Sequence, residues 1–151
     1  MPITITNAMP TSFKVELLQG THNFTASTGD VFKLALLTAT ATGSGTYGVA
    51  TTSYSQLGAD ELPTAGGYTR PGITLTSVTP VASGTAAVCD FSDATLTSVT
   101  FTTCGALIYN STDSGAACAV ISFNGDYQVS AGNFTIQFPT AAAGTAVILI
   151  A

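Results

Sequence analysis

From Ile73 onward the chain alternates apolar and hydroxyl residues in steps of two. Ile73-Thr-Leu-Thr-Ser-Val-Thr79, Leu96-Thr-Ser-Val-Thr-Phe-Thr102 and Asn133-Phe-Thr-Ile-Gln-Phe138 all follow this pattern for much of their length. Successive side chains of a strand point to opposite faces, so a period of two places the apolar set on one face and the hydroxyls on the other. β-branched Thr and Val fit the pleated surface. Such text excludes a helical bundle and commits this half of the chain to half-buried strands.

Further strands are predicted at Ala86-Ala-Val-Cys-Asp-Phe91, Gly105-Ala-Leu-Ile-Tyr-Asn110, Ala117-Cys-Ala-Val-Ile-Ser-Phe123 and Ala146-Val-Ile-Leu-Ile150. Ser92-Asp93-Ala94 reads as a turn, Ser111 to Gly115 as a loop of hairpin length, and Pro139 as a stop. Asn124-Gly125 is a tight-turn signal, because both residues tolerate positive φ. Before Gly72 the text is mixed. Ser12-Phe-Lys-Val-Glu-Leu-Leu-Gln19 reads as a short helix, with Ser12 as N-cap and Gly20 as its left-handed end. Val31-Phe-Lys-Leu-Ala-Leu-Leu-Thr38 fits a mostly buried strand, although its periodicity also admits a helix. Gly43-Ser-Gly45 marks a turn. Tyr47 to Gln56 fits either a short helix or a strand. Gly58, Pro63, Gly66, Gly67, Pro71 and Gly72 make residues 57–72 a long ordered loop or a linker. About eight strands at short spacing predict a mainly β fold: one antiparallel β-sandwich domain, jelly-roll-like, over residues 1–151, with one or two short helices in the N-terminal half. No fixed-period repeat is present, which excludes a solenoid.

Composition then narrows function. Only 7% of the 151 residues are charged while 46% are hydrophobic. Soluble domains average about 25% charged residues. The mean hydropathy of +0.44 argues against disorder, and no apolar run approaches the roughly 20 residues that span a bilayer. The first ten residues, MPITITNAMP, carry neither a basic nor an apolar leader region, so no secretory signal is expected. The net charge is −5, and Lys14, Lys33 and Arg70 are scattered, which excludes nucleic acid and anionic membranes as partners. An outer surface of hydroxyls, without edge lysines, is poorly defended against strand pairing. It suits a protein whose surface is covered by partners.

Little in the sequence carries chemistry. His22 is the single histidine, with no nucleophile-elbow motif to serve, and is expected to bond a loop after the helix. Asp90, Asp93, Asp113 and Asp126 sit at strand ends or turns, with no calcium-loop spacing. Asp60-Glu61, the only adjacent acidic pair, is expected to be a solvated loop, and Lys14 with Glu16 a helix surface. Gly43-Ser-Gly45 and Gly66-Gly67 lack phosphate-loop spacing. Cys89, Cys104 and Cys118 form no Cys-x-x-Cys pair and are expected to be reduced and buried. Tyr47, Tyr54, Tyr68, Tyr109 and Tyr127 could build a sugar platform but are expected at the rim of the core. The sequons at Asn23, Asn110 and Asn133 carry no meaning without a secretory route. The expectation is a non-enzyme with no catalytic, cofactor or metal site.

The motif order Phe13-Lys-x-Glu-Leu-Leu-x-Gly20, Thr21-His-Asn-Phe24, Asp30-x-Phe-Lys-x-Ala-Leu36, Gly66-Gly-Tyr-Thr69, Gly105-Ala-Leu-Ile-Tyr109 and Phe134-Thr-x-x-Phe-Pro139 resembles that of a family of small tailed-bacteriophage and prophage virion proteins. The resemblance runs over nearly the whole chain; the Thr/Ala-rich residues 43–52 and the cysteines depart from it. It implies a particle component made in the host bacterial cytoplasm, and supplies no catalytic residue. Within the virion, the expectation is a capsid decoration (cement) protein that docks on the major capsid protein and on copies of itself, as a trimer. A tail, fibre-base or head–tail connector subunit is the alternative, including a receptor- or glycan-binding module with an exposed aromatic cluster. A hydrolase would need two carboxylates about 5–9.5 Å apart in a groove.

Overall fold

In the computed structural model, which describes residues 1–142 and 144–150, the chain forms antiparallel sheets and one α-helix. The elements are β1 (Thr4–Ile5), α1 (Thr11–Leu18), β2 (Phe32–Leu37), β3 (Thr46–Tyr47), β4 (Ile73–Thr74), β5 (Ser77–Ser83), β6 (Ala86–Phe91), β7 (Ala94–Asn110), β8 (Ala116–Ile136) and β9 (Ile148–Ile150). Two single 3-10 turns, Tyr54–Gln56 and Gly58–Asp60, complete the described helical content, so all of it lies before Gly72. One sheet has the order β4-β2-β7-β8, a second β5-β6-β9, and β1 pairs with β3 in parallel.

Apart from Lys33 near its start, the text of β2 is apolar, and the packing explains why. Phe32, Leu34 and Leu36 enter one apolar cluster while Ala35 and Leu37 enter another on the opposite face. A central strand covered on both faces needs apolar residues at every step. Its neighbour β7 does the same, with Ala106 and Ile108 in the first cluster and Leu107 and Tyr109 in the second. The larger cluster also takes Phe13 from α1, Cys89 and Phe91 from β6 and Ile148 from β9, so both larger sheets share one core. Phe24 stacks on Phe32 at 4.3 Å within it.

Several predicted elements come out differently. Ile73 to Thr79 is two strands, not one. Ile73 pairs with Leu34 in the first sheet, Ser77 with Phe91 in the second, and the chain crosses between them at Leu75 and Thr76. The Leu75 N–H reaches the Phe32 carbonyl at 2.9 Å, and the Thr76 carbonyl accepts the Ser92 N–H at 2.9 Å, so the crossing point bonds to both sheets. Leu96–Thr102 and Gly105–Asn110 fuse into β7, and Ala117–Phe123 and Asn133–Ile136 into β8. Ser111 to Gly115 is the hairpin loop between them, with Asn110 opposite Ala116.

Asn124-Gly125 makes no hairpin. Both residues have positive φ, 60° and 136°, but they form a bulge within β8. Thr103 pairs with Tyr127 and Gly105 with Ser122, so a short step on β7 faces a longer one on β8. A bulge of this kind bends the strand that carries it.

Ser12 is not the N-cap. Pro10, whose side chain cannot cap, holds that position, and the Thr11 N–H is bonded by the Val49 carbonyl at 2.9 Å. Ser12 lies inside α1 with its hydroxyl enclosed and without a hydrogen-bond partner. Gly20 does take the left-handed conformation, at φ 70°. Tyr47 to Gln56 contains the end of a strand and a 3-10 turn, so both of its readings are partly right. The Gly43–Gly45 signal is displaced: the turn falls at 40–42.

Candidate functional site

Three places gather the side chains that could act. The first is the 57–72 loop. Glu61, expected in solvent, is buried at 2% exposure. Its carboxylate accepts the hydroxyls of Tyr54 and Tyr68 and faces Arg70 Nε at 3.2 Å. Arg70 also donates to the carbonyls of Gly58, Glu61 and Leu62. The neighbouring Asp60 accepts the N–H groups of Ser44 and Gly45 and the Tyr47 hydroxyl at 2.8 Å. Burial works against ionisation of Asp60, yet the Tyr47, Ser44 and Gly45 bonds hold its carboxyl below the usual range. The Asp60-Glu61 pair is therefore a staple that ties a breaker-rich loop into the core, not a solvated dyad. The loop's backbone also presses on β7: a Cβ on Gly66, at φ +59°, would run into the Thr100 carbonyl oxygen.

The same network absorbs the tyrosines. Tyr54 stacks on Tyr109 at 4.5 Å, and Tyr47, Tyr68 and Tyr109 are buried. Burial first, then the adjacent carboxylates, pushes the Tyr54 phenol up to about 12 and those of Tyr47 and Tyr68 higher still. These four face inward and form no platform; Tyr127 is the exposed tyrosine, at 55%.

The second place surrounds His22. Its ring is fully enclosed, with Nε2 2.9 Å from Glu16 and Nδ1 3.0 Å from the Asn110 amide nitrogen. The amide can only donate there, which leaves Nδ1 as acceptor and puts the proton on Nε2. Asn110 donates also to Asp30 at 2.7 Å, and its own oxygen accepts the N–H groups of Thr112 and Asp113. Both ring nitrogens are occupied, so His22 joins α1 to the end of β7 and is closed to substrate. Glu16 is drawn into this contact rather than being plain helix surface.

The third place is a groove of ≈ 830 Å³ beside the β8 bulge. Cys118 to Ile121 and Phe123 line it from one half of the strand, Tyr127 and Phe134 to Ile136 from the other. Asn7 to Met9 and the C-terminal residues Gln137 to Pro139, Val147 and Ile148 complete it. The N-terminal segment is held by Ala8, which exchanges two backbone bonds with Val120, and by Asn7, whose side-chain oxygen accepts the Ser122 N–H at 2.6 Å. Phe123 and Tyr127 flank Phe134 at 6.1 and 5.8 Å. None of the described residues lining the groove is charged. The sequence signal for it was Asn124-Gly125, read as a turn.

Most of the few carboxylates also bond within the fold, although Asp93 and Asp126 remain exposed. Seven carboxylates accept internal bonds or ion-pair partners: Glu16, Asp30, Asp60, Glu61, Asp90 (from the Phe91 N–H), Asp93 (from the Phe138 N–H) and Asp126 (from Thr40). Among the described residues, no group of His, Cys, Asp or Glu is arranged to hold a metal ion, and no helix is long and apolar enough to cross a membrane. Cys89, Cys104 and Cys118 are free thiols, all buried as expected. No family model, curated protein or solved structure matches the chain.

Proposed function

We propose that this chain is a non-enzymatic structural subunit of a tailed-bacteriophage particle, a capsid decoration protein that docks on the major capsid protein and on copies of itself, as a trimer. In this reading the two larger sheets pack as a jelly-roll-like sandwich. The observation that carries it is the internal use of the carboxylates. Charged residues are few, seven carboxylates also bond within the fold, and the groove lining carries no charge. The outer face of the β7–β8 ribbon shows this chemistry. Thr95 and Thr135 are exposed cross-strand neighbours whose hydroxyls meet at 2.9 Å, and Gln128 stands exposed opposite Thr102. Such a surface gains little from binding a charged partner and gains from burying methyl groups, on the order of 25 cal/mol per Å². Repeated over a symmetric lattice, modest contacts add up to firm attachment. The resemblance of the motif order to that of small virion proteins is in keeping with the same class.

A receptor- or glycan-binding tail module is the second reading, favoured by the exposed Tyr127 ring beside Phe134. Counting copies in purified particles by quantitative mass spectrometry separates the two. A decoration protein is present in hundreds of copies, in proportion to the major capsid protein. A few dozen copies or fewer would transfer the chain to the tail.

A further inference from the structure

We propose that His22 is an acid-sensitive latch on the Ser111–Gly115 hairpin loop: a second proton on its ring frees the Thr112 and Asp113 N–H groups from Asn110. The device stands on its own hydrogen bonds and is independent of the particle role proposed above.

Asn110 joins the ring to the loop. It is wholly buried at the end of β7. Its amide nitrogen donates to Asp30 at 2.7 Å and to His22 Nδ1 at 3.0 Å. Its oxygen accepts the Thr112 N–H at 3.0 Å and the Asp113 N–H at 3.2 Å. The Asp30 carboxylate can only accept and the two backbone N–H groups can only donate, so they fix which way the amide points. Nδ1 must then be bare, and this closed arrangement requires a neutral ring.

A proton on Nδ1 would set two donors against each other at 3.0 Å. The ring has little room to withdraw, packed by Phe13 of α1 at 4.8 Å, Phe24 at 6.2 Å and Phe32 of β2 at 6.4 Å. A half-turn of the Asn110 amide relieves the clash by offering its oxygen to the new N–H. That same turn points the amide nitrogen at the Thr112 and Asp113 N–H groups, which lose their acceptor. Asp30 loses one donor and keeps the Asn23 N–H at 2.8 Å.

The surroundings supply a counter-charge for the charged ring, which a buried ion needs. Glu16 of α1 lies 2.9 Å from Nε2, and Asp30, ahead of β2, lies behind Asn110. From the hairpin, Asp113 stands three residues beyond Asn110. From β8, the Cys118 thiol keeps its proton, raised by burial first and by Glu16 and Asp30 after. Lys14 is exposed on α1, and Lys33 lies on the other face of β2, opposite Tyr109 in register. Histidine ordinarily titrates between about pH 5 and 8.

The release is local. Ser111 N–H bonds to the Val31 carbonyl and Gly115 N–H to the Asn110 backbone carbonyl, and neither bond uses the Asn110 side chain. The loop tip is the part set free, and with it the Thr112 hydroxyl that accepts the Val31 N–H at 2.8 Å.

The test is nuclear magnetic resonance on the full chain from about pH 8 to pH 5, above the range in which carboxylates ordinarily titrate. Ring nitrogen shifts report the state of His22. Amide protection factors, which remove the intrinsic pH dependence of exchange, report the loop. The expected result is an Nε2–H ring at the upper end. As the ring charges, protection at Thr112 and Asp113 should fall roughly tenfold with the same midpoint, while Ser111 and Gly115 hold theirs. His22→Phe keeps the aromatic packing and should abolish the pH-linked change. Glu16→Gln keeps an acceptor for Nε2 without the charge, and should move both midpoints together to lower pH by about one unit; it preserves the test if the first variant folds poorly. An Nδ1–H ring at pH 8, or a ring that takes no second proton by pH 5, would overturn the proposal. So would a charged ring with Thr112 and Asp113 still protected, the sign that Nδ1–H reaches Asp30 directly, or a loop change that persists in His22→Phe.

Discussion

Tyr68 donates its hydroxyl to Glu61 at 2.7 Å, seven positions away along the same loop, and both side chains are almost wholly enclosed. The same phenol oxygen accepts the Leu36 N–H at 3.2 Å, so one side chain links the carboxylate to β2. A loop of glycines and prolines would otherwise be free to move. Here a buried, hydrogen-bonded side chain anchors it to a central strand, and the loop becomes part of the core.

Tyr68→Phe leaves a buried carboxylate short of one donor and a buried amide short of its acceptor. The expected loss is about 1–3 kcal/mol of stability, which for a chain of this size lowers the melting temperature by about 2–4 °C per kcal/mol. Differential scanning calorimetry checks it. A variant as stable as wild type would mean that the Glu61 network contributes nothing.

The tyrosines set the alkaline limit of the fold. Burial first, and the nearby carboxylates second, raise the Tyr54 phenol to about 12 and those of Tyr47 and Tyr68 further. A phenol raised in the native state keeps its proton where the unfolded chain has lost it. Its stabilisation is therefore complete below about pH 10 and is lost as pH rises through the native value. Denaturant midpoints should fall steeply above about pH 10, together with a sharp phenolate absorbance change as the chain unfolds. Gradual ionisation of all five tyrosines in a still-native protein would contradict this.

Cys89 and Cys118 sit in the core, where burial, with a smaller push from nearby carboxylates, raises their thiols, Cys89 to about 12. Cys104 is raised for the same first reason and donates to the Thr38 carbonyl at 2.8 Å. Since the thiolate is the reactive form, a thiol reagent at pH 8 should label none of the three quickly in the native protein and all three in denaturant. Rapid native labelling would contradict their placement.

Local pattern carried much of the fold. The apolar run of β2, the Ala86–Phe91 strand and the Ser111–Gly115 hairpin loop follow from period, length and turn residues. What pattern could not show was continuity. Positive φ at Asn124 and Gly125 suits a hairpin and a bulge equally, and only the pairing of distant Thr103 and Gly105 decides between them. After Leu75 the alternation slips by one residue at Thr76-Ser77, a break in phase that marks the crossing between sheets but that also fits a bulge within one strand. The Glu61 cluster was hidden because its partners are brought together by the fold of the loop, and composition alone treats an Asp-Glu pair as solvated. The groove was hidden because residues from both chain ends and both halves of β8 meet there only in the fold. The shortage of charge was legible from the start; that most carboxylates are also turned to internal bonds was not.

On the proposed function, the chain attaches to a capsid through uncharged surfaces. The direct measurement is co-sedimentation of purified protein with undecorated capsids at low salt and at about 0.5 M salt, where electrostatic attraction is largely screened. Saturable binding that is nearly the same at both is expected. Binding that disappears at the higher salt, or no binding at either, would contradict it.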